Sequence, residues 1–355
     1  MDFATGSDPL LAVVQIGAGA LILSLALLGA ILLLRLRLIA RLAHQRRFAE
    51  RWHPVFAAFA AGVPVDVPQL APDDGMLFLA HWLAAQESLR GGAQQLLNEL
   101  AARVGADRLA VSALDSGDPR GEILALVAVG HLQLGGAWPL AEVLAAGAPP
   151  AISLAAAQTL LRIDSRRALV RVLALAAGRE DWPIGRVATM LRECDANDAG
   201  PALAAALDSE WRQAPDGPGL ARLLHLLGTE AAEAARSTVR ELLEHSGRPE
   251  VIAAALGTLW NPEDAGHARA RLRHEQWYVR LAAVKALGRI GGAADVSLLS
   301  GMLSDPNWWV RYRAAQALAR LPGMNAEALE RMRASADDRY AADMLGQVLS
   351  ALESR

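Results

Sequence analysis

The sequence predicts an all-α protein in which a single N-terminal transmembrane helix is followed by an α-solenoid of about eight helix pairs. Three observations lead there. Residues 10–34 form an uncharged apolar run. Alanine, leucine and arginine, all strong helix formers, dominate the composition, and β-branched residues are comparatively few. One helical pattern then recurs at intervals close to 31 residues from position 121 onward.

The apolar run LLAVVQIGAGALILSLALLGAILLL is interrupted by Gln15 and Ser24 alone. At 1.5 Å per residue it reaches about 38 Å, more than the ~30 Å hydrocarbon core of a bilayer. Asp2 and Asp8 precede it, in a short tail (1–9) expected outside the membrane. Arg35, Arg37, Arg41, Arg46, Arg47 and Arg51 follow it. Because positive charge stays cytoplasmic, the N-terminus is expected outside and the bulk of the chain inside. A cleaved signal peptide is the competing reading, but it calls for a basic leading segment, and this one is acidic. Residues 35–61 read as a basic juxtamembrane helix, each arginine worth about 1 kcal/mol at an anionic lipid surface. Pro64, Pro68 and Pro72 mark 62–75 as a linker, after which Asp73 or Asp74 is expected to cap a helix. Residues 76–355 form the solenoid.

The repeat is sharpest near the C-terminal end. WYVRLAAVKALGRI (277–290) aligns with WWVRYRAAQALARL (308–321), matching Val279 with Val310, Arg280 with Arg311, Ala283 with Ala314, Ala286 with Ala317 and Leu287 with Leu318. The apolar positions fall on one helix face. Weaker copies are anchored near residues 121, 152, 184, 220, 251 and 341, and a first copy starts near Leu89. Turn signals precede most of them: Asp118-Pro119, Pro149-Pro150, Asp181-Trp182-Pro183, Asp216-Gly217-Pro218, Pro249 and Asp305-Pro306. Aspartate before proline reads as an N-cap before the first helical residue. A unit of this length with two helices buries its apolar face by stacking on its neighbours.

The pattern D-P-x-x-x-V-R-x-x-A-A-x-A-L, carried by Asp305, Pro306, Val310, Arg311, Ala314, Ala315, Ala317 and Leu318, resembles the HEAT repeat family. The resemblance covers roughly 89–355 and is sharp over 270–321. ESLRG (87–91), REDWP (179–183), DPNWWVRYRAAQALARLP (305–322) and DRYAADML (338–345) also resemble a bacterial group of membrane-anchored HEAT-repeat proteins. That likeness implies an inner-membrane scaffold without a known enzymatic role.

The composition speaks against several chemistries. The lone Cys194 excludes an internal disulfide or a thiolate zinc site. His274-Glu275 is the single His-Glu pair, whereas the HEAT-like deoxyhypusine hydroxylases bind iron through repeated pairs; no metal and no cofactor are expected. No phosphate-binding glycine loop, nucleophile elbow or HExxH helix is present. His81, His131 and His225 fall in helical stretches as core or boundary residues. The chain carries a net charge of −3, and six arginines are concentrated before residue 52, so the remainder is more acidic still. Nucleic acid is therefore not an expected partner, although Arg271, Arg273, Arg280, Arg289, Arg311, Arg313 and Arg320 form a local basic zone. The rival to a scaffold is a HEAT-like enzyme of the bilin lyase type, which shares the core-packing pattern. Lys285 is the single lysine, and codon bias is the plain explanation for that.

The partner surface is expected on the second helix of each pair. On 310–321, Val310, Ala314, Ala317, Leu318 and Leu321 should be buried, and Arg313, Gln316 and Arg320 exposed as a polar stripe. Of nine tryptophans, three tyrosines and five phenylalanines in the chain, Trp277, Tyr278, Trp308, Trp309 and Tyr312 fall within 36 residues, and Tyr340 extends the group. These aromatics either pack between repeats or, with Arg313, form a partner-binding hot spot, since Trp, Tyr and Arg dominate interface energetics. Arg311 is expected to pair with Asp305. The expected function is a non-enzymatic scaffold positioning a membrane-bound or membrane-proximal protein, in an envelope polysaccharide or a signalling system.

Overall fold

The computed structural model describes residues 9–353 except 116, 216 and 337. The tail before Pro9 and the Asp216 turn signal lie outside the described residues. Among these the regular structure is entirely helical, with twenty α-helices joined by short turns. The chain divides into two compact units, Met1–Ala128 and Val129–Arg355, with the boundary inside one helix.

The first unit holds α1 (Pro9–Ala60), α2 (Gly75–Ser88), α3 (Gly92–Val104) and α4 (Ala106–Ala113), and α5 (Pro119–His131) contains the boundary. The sequence divides 10–61 into a spanning helix and a juxtamembrane helix, but α1 runs through both without a break. Arginine, leucine and alanine continue a helix as readily as the apolar run does, so nothing between Leu34 and Arg47 stops it. Its 52 residues extend about 78 Å. Large apolar side chains from Leu21 to Leu42 stand 50–64% exposed. Among the described residues α1 is the one helix long and apolar enough to cross a membrane.

The last third of α1 is a core helix. Phe48, Trp52, Val55, Phe56 and Phe59 recur every three or four residues and are buried. They pack toward α2, where Phe78, Leu79 and Trp82 are also buried, with Trp52 edge-on to Phe78 at 5.0 Å and Phe56 5.5 Å from the same ring. The Trp82 indole N–H donates to the Leu97 carbonyl of α3 at 2.9 Å. The expected cap at Asp74 takes a different form: Asp74 occupies the N-cap position of α2 without a side-chain capping bond. Its carboxylate instead meets His44 Nε2 of α1 at 2.6 Å. His53 and His81 meet at 3.1 Å, and burial together with His53 lowers the His81 pKa.

The second unit continues with α6 (Trp138–Gly147), α7 (Pro150–Ile163), α8 (Ser165–Gly178), α9 (Ile184–Arg192), α10 (Ala196–Gln213), α11 (Gly219–Leu226), α12 (Thr229–Ala234), α13 (Arg236–His245), α14 (Pro249–Thr258) and α15 (Ala265–Ala270). It closes with α16 (Trp277–Ile290), α17 (Val296–Gly301), α18 (Trp308–Leu318), α19 (Ala326–Ala334) and α20 (Arg339–Glu353). Every repeat anchor falls on a helix: α5, α7, α9, α11, α14, α16, α18 and α20. Successive members pack on one another, α14 on α16, α16 on α18 and α18 on α20. The fold of this unit is thus the helix-pair stack of a solenoid. Ala283, Ala286, Ala314 and Ala317 are buried at these contacts. At Gly288 the approach is closest, since a Cβ there would lie 2.9 Å from Ala317 Cβ.

Arginine ties the repeats together. Asp264, Asp295 and Asp305 are buried, and each receives guanidinium donors from the preceding repeat. Arg236 Nε donates to Asp264 at 3.0 Å and Arg240 Nε at 2.6 Å. Arg269 Nε donates to Asp295 at 2.6 Å. Arg280 holds both oxygens of Asp305, at 2.7 and 2.9 Å. Burial pushes the Asp264 carboxyl up, but the bonds from Arg236 and Arg240 bring it below its usual value; the bond from Arg269 does the same for Asp295. Other arginines cap helix C-termini of a neighbouring repeat, where carbonyls lack partners. Arg179 reaches the carbonyls of Ala145, Ala146 and Ala148, and Arg289 those of Leu256, Gly257 and Leu259. A planar five-donor group does this and an ammonium cannot, which gives the arginine excess a physical role.

Two expectations are corrected by this ladder. The Asp305 carboxylate is occupied by Arg280 of the preceding repeat, and Arg311 donates to the main-chain carbonyls of Asp305 and Pro306, at 2.8 and 3.2 Å. Asp305 is also not the cap of α18, which starts three residues later and is capped by Asn307 accepting from the Trp309 N–H. The Asp118 signal does cap its helix, accepting from the Gly121 N–H at 3.0 Å. Asp181 is held by Arg179 at 2.6 Å, and α9 starts after Pro183.

Candidate functional site

The two sharpest repeats place their candidate residues at the N-terminal turns of α16 and α18. Val279 and Val310 are fully buried and fix the rotation of each helix. The residues just before them therefore project from the core: Trp277 is 40% exposed, Trp308 41% and Trp309 52%. On α18 the aromatics form one continuous group. Trp308 stacks on Tyr312, one turn on, with ring centroids 5.3 Å apart and planes within 8°. Trp309 meets Trp308 edge-on at 4.7 Å, and the Arg313 guanidinium lies 5.8 Å from the Tyr312 ring. Trp277 and Tyr278 make their own edge-on pair at 6.0 Å, and Tyr278 donates to the Glu250 carboxylate at 3.0 Å, binding it to the preceding repeat. Tyr340, 60% exposed, begins α20 and lies under the Arg311 guanidinium at 5.1 Å. The aromatics thus divide: Tyr278 is tied to a neighbouring repeat, and Trp308 and Trp309 are exposed, with the half-buried Tyr312 stacked against Trp308.

The expected apolar face of α18 is buried in full: Val310, Ala314, Ala317, Leu318 and Leu321. Arg313, Gln316 and Arg320 line a cleft of about 170 Å³ with Lys285, Gly288 and Arg289 of α16. Arg313 donates to the Gln316 amide oxygen at 2.6 Å. Burial lowers the Lys285 pKa, and Arg313 and Arg289 lower it further; burial and Arg320 lower that of Arg289. Lys285 escaped notice as a site residue because it is isolated in composition. The repeat register was the available signal: a 31-residue shift puts Lys285 on Gln316 and Arg289 on Arg320.

A second cleft, of about 610 Å³, is lined mainly by alanine and leucine side chains from α9, α10, the end of α11 and α12, with Cys194 and His225 at its wall. Burial raises the Cys194 thiol pKa, which disfavours the nucleophilic thiolate. Among the described residues no group of three or more His, Cys, Asp and Glu is placed to hold a metal ion. His274 and Glu275 lie in the turn before α16, where both main-chain carbonyls accept from Arg280 and His274 Nδ1 accepts from the Gln276 N–H.

Residues 267–353 match the family model described as HEAT repeats. That segment runs from α15 through α20 and contains the whole aromatic stack and the basic cleft. One solved structure, of an engineered protein, is similar at 13% identity over 84% of this chain and 93% of that one, with a TM-score of 0.38. No curated protein matches. The REDWP segment is structural: Arg179 caps α6, and the fully buried Trp182 donates to Ser153 Oγ at 2.8 Å.

Proposed function

We propose that the protein is a membrane-tethered, non-enzymatic scaffold that captures a protein partner on the α16–α18–α20 face of its HEAT-repeat segment. HEAT repeats generally mediate protein–protein interaction. The observation that carries the reading is the pair of exposed indoles, Trp308 and Trp309, backed by the half-buried Tyr312 beside Arg313. Tryptophans left 41% and 52% in water withhold apolar area that a partner can bury, and Trp, Tyr and Arg are the residues enriched among interface hot spots. Trp277 and Tyr340 extend the face over the two adjacent repeats.

In this reading α1 is the tether, with its N-terminus outside and the chain after residue 34 on the cytoplasmic side of a bacterial inner membrane. Residues 10–34 span the hydrocarbon. Arg35, Arg37 and Arg41 lie in the headgroup zone, and Arg46, Arg47 and Arg51 approach it when the helix tilts. The 13 residues from Arg35 to Arg47 hold the buried face of α1 about 20 Å beyond the hydrocarbon edge. Confinement to two dimensions raises the effective concentration of a membrane-proximal partner without new contacts. Partners in an envelope polysaccharide or a signalling system fit that placement.

The test is affinity purification of the detergent-solubilised full chain and mass spectrometry of what co-purifies. Trp308→Ala, Trp309→Ala and Arg313→Ala should each deplete a specific protein while leaving helical content and melting unchanged. Unaltered recovery across all three variants refutes the assignment of this face.

A further inference from the structure

Arg313 belongs to two neighbourhoods at once, the aromatic stack through Tyr312 and the cleft through Gln316. Arg289 at its wall caps α14, but no carboxylate lines the cleft. Elsewhere in this unit Arg236, Arg240, Arg269 and Arg280 are matched to buried aspartates. Among the described residues, Lys285, Arg289, Arg313 and Arg320 make no ion pair. We infer that this cleft binds an acidic peptide segment of the protein partner, one carrying an apolar side chain beside its carboxylates. The inference rests on the reading of α18 as a protein-binding face and names the partner's chemistry.

Four features support it. The cations come from adjacent repeats, and burial first, then the neighbouring arginines, disfavour the charged forms of Lys285 and Arg289. An incoming carboxylate relieves that repulsion. The charges are strung out along the cleft: Lys285 and Arg289 are one turn apart along α16, about 6 Å, Arg313 lies on α18, and Arg320 follows in the turn just after its end. Charges so spread fit successive carboxylates along a chain better than one compact oxyanion. Gly288 keeps the two helices close, because any Cβ there would press on Ala317 of α18, at 2.9 Å from its Cβ and 3.0 Å from its Cα. Finally, Arg313 makes the cleft continuous with Tyr312, Trp308 and Trp309, so a segment whose carboxylates enter the cleft places its next side chain on the indoles.

The experiment measures fluorescence anisotropy of a labelled twelve-residue Asp/Glu peptide with a central Leu-Phe, titrated with the detergent-solubilised full chain. Binding is expected, weakening as sodium chloride rises, since the contacts are partly exposed charge pairs. Lys285→Glu/Arg320→Glu, and the milder Lys285→Gln/Arg320→Gln, should weaken it by about tenfold or more with unchanged circular dichroism. Trp309→Ala should weaken the Leu-Phe peptide but not an all-acidic one. Absence of peptide binding, or binding indifferent to both double variants, overturns the inference. So does tighter binding of oligo-dT or of phosphatidylserine vesicles through the same residues. If the peptide fails while Trp309→Ala still removes the native partner, the acidic-segment assignment falls and the scaffold reading stands. If Trp308→Ala, Trp309→Ala and Arg313→Ala all remove nothing, the assignment of this face to a protein partner falls as well.

Discussion

Asp305→Asn separates a buried cross-repeat ion pair from an ornamental one. The Asp305 side chain is 4% exposed and that of Arg280 14%, with bonds of 2.7 and 2.9 Å between them. Neither partner can rehydrate in place. The asparagine keeps an oxygen for the Asn307 N–H, now 2.8 Å from Asp305 Oδ1, but leaves the Arg280 guanidinium without a counter-charge. Removing one member of such a pair costs about 3–5 kcal/mol. The lower end applies, because Arg280 retains its bonds to the His274 and Glu275 carbonyls, both 2.9 Å. In a unit of about 230 residues, 3 kcal/mol corresponds to a fall in Tm of about 6–12 °C. Thermal unfolding of the full chain in detergent, followed by circular dichroism, reads this directly. Glu327→Gln is the control: its pair with Arg331 is 2.9 Å long, yet the two side chains are 77% and 70% exposed, and Tm should move by less than about 2 °C. A double-mutant cycle with Arg280→Met should return a coupling of about 2 kcal/mol, since deleting both charges removes the orphan. If Asp305→Asn melts within about 2 °C of the wild type, the ladder is not what joins these repeats.

The other predictions concern pH, packing and the tether. Burial and then Arg162 lower the His131 pKa to about 4, whereas an unfolded histidine titrates near 6.5. Between those values the unfolded chain holds a proton that the folded chain refuses, so stability falls as pH drops through that window; urea midpoints at pH 7 and 4.5 should differ more for wild type than for His131→Gln. Gly288→Ala forces α16 off Ala317 and should cost about 1–3 kcal/mol by overpacking, read as a lower urea midpoint. Leu23→Arg, at a position 61% exposed near the middle of the apolar run, replaces an apolar group with a charge costing about 2.5–3.5 kcal/mol at mid-membrane; carbonate extraction should release part of the protein. Full retention would mean that α1 is not the span.

The solenoid was legible because a helix face repeated in register leaves an imprint that composition cannot blur: Val279 and Val310, Ala283 and Ala314, Leu287 and Leu318 all return to the core. What escaped the sequence are relations between repeats. Reading along the chain pairs Asp305 with Arg311, six residues away, but stacking brings Arg280, 25 residues upstream, to the same carboxylate. The unbroken α1 was obscured for another reason. Charge marks Arg35 as a boundary in solvent preference, yet arginine is no boundary in backbone conformation, and the packing signal of Phe48, Trp52, Phe56 and Phe59 lay inside the stretch read as basic. The aromatic stack was visible as clustering. The split between Tyr278, tied to Glu250, and the exposed Trp308 and Trp309 required side-chain directions that spacing alone does not supply.

The near-neutral charge of the chain hides three separate uses of cations. Arginines around residues 35–51 follow the apolar run and suit a lipid surface. Those at 236, 240, 269 and 280 neutralise buried aspartates, which reduces their contribution to the outward potential. A third set caps helix C-termini, meeting partial rather than full negative charge. Among the cations outside this ladder, Lys285, Arg313 and Arg320, with the helix-capping Arg289 beside them, face one cleft. Net charge therefore argues against a broad polyanion track while saying nothing about a local acidic ligand. A short row of cations beside exposed indoles is selective in a way that a basic groove is not: it requires carboxylates and an apolar side chain at a fixed separation, and the repeat geometry sets that separation.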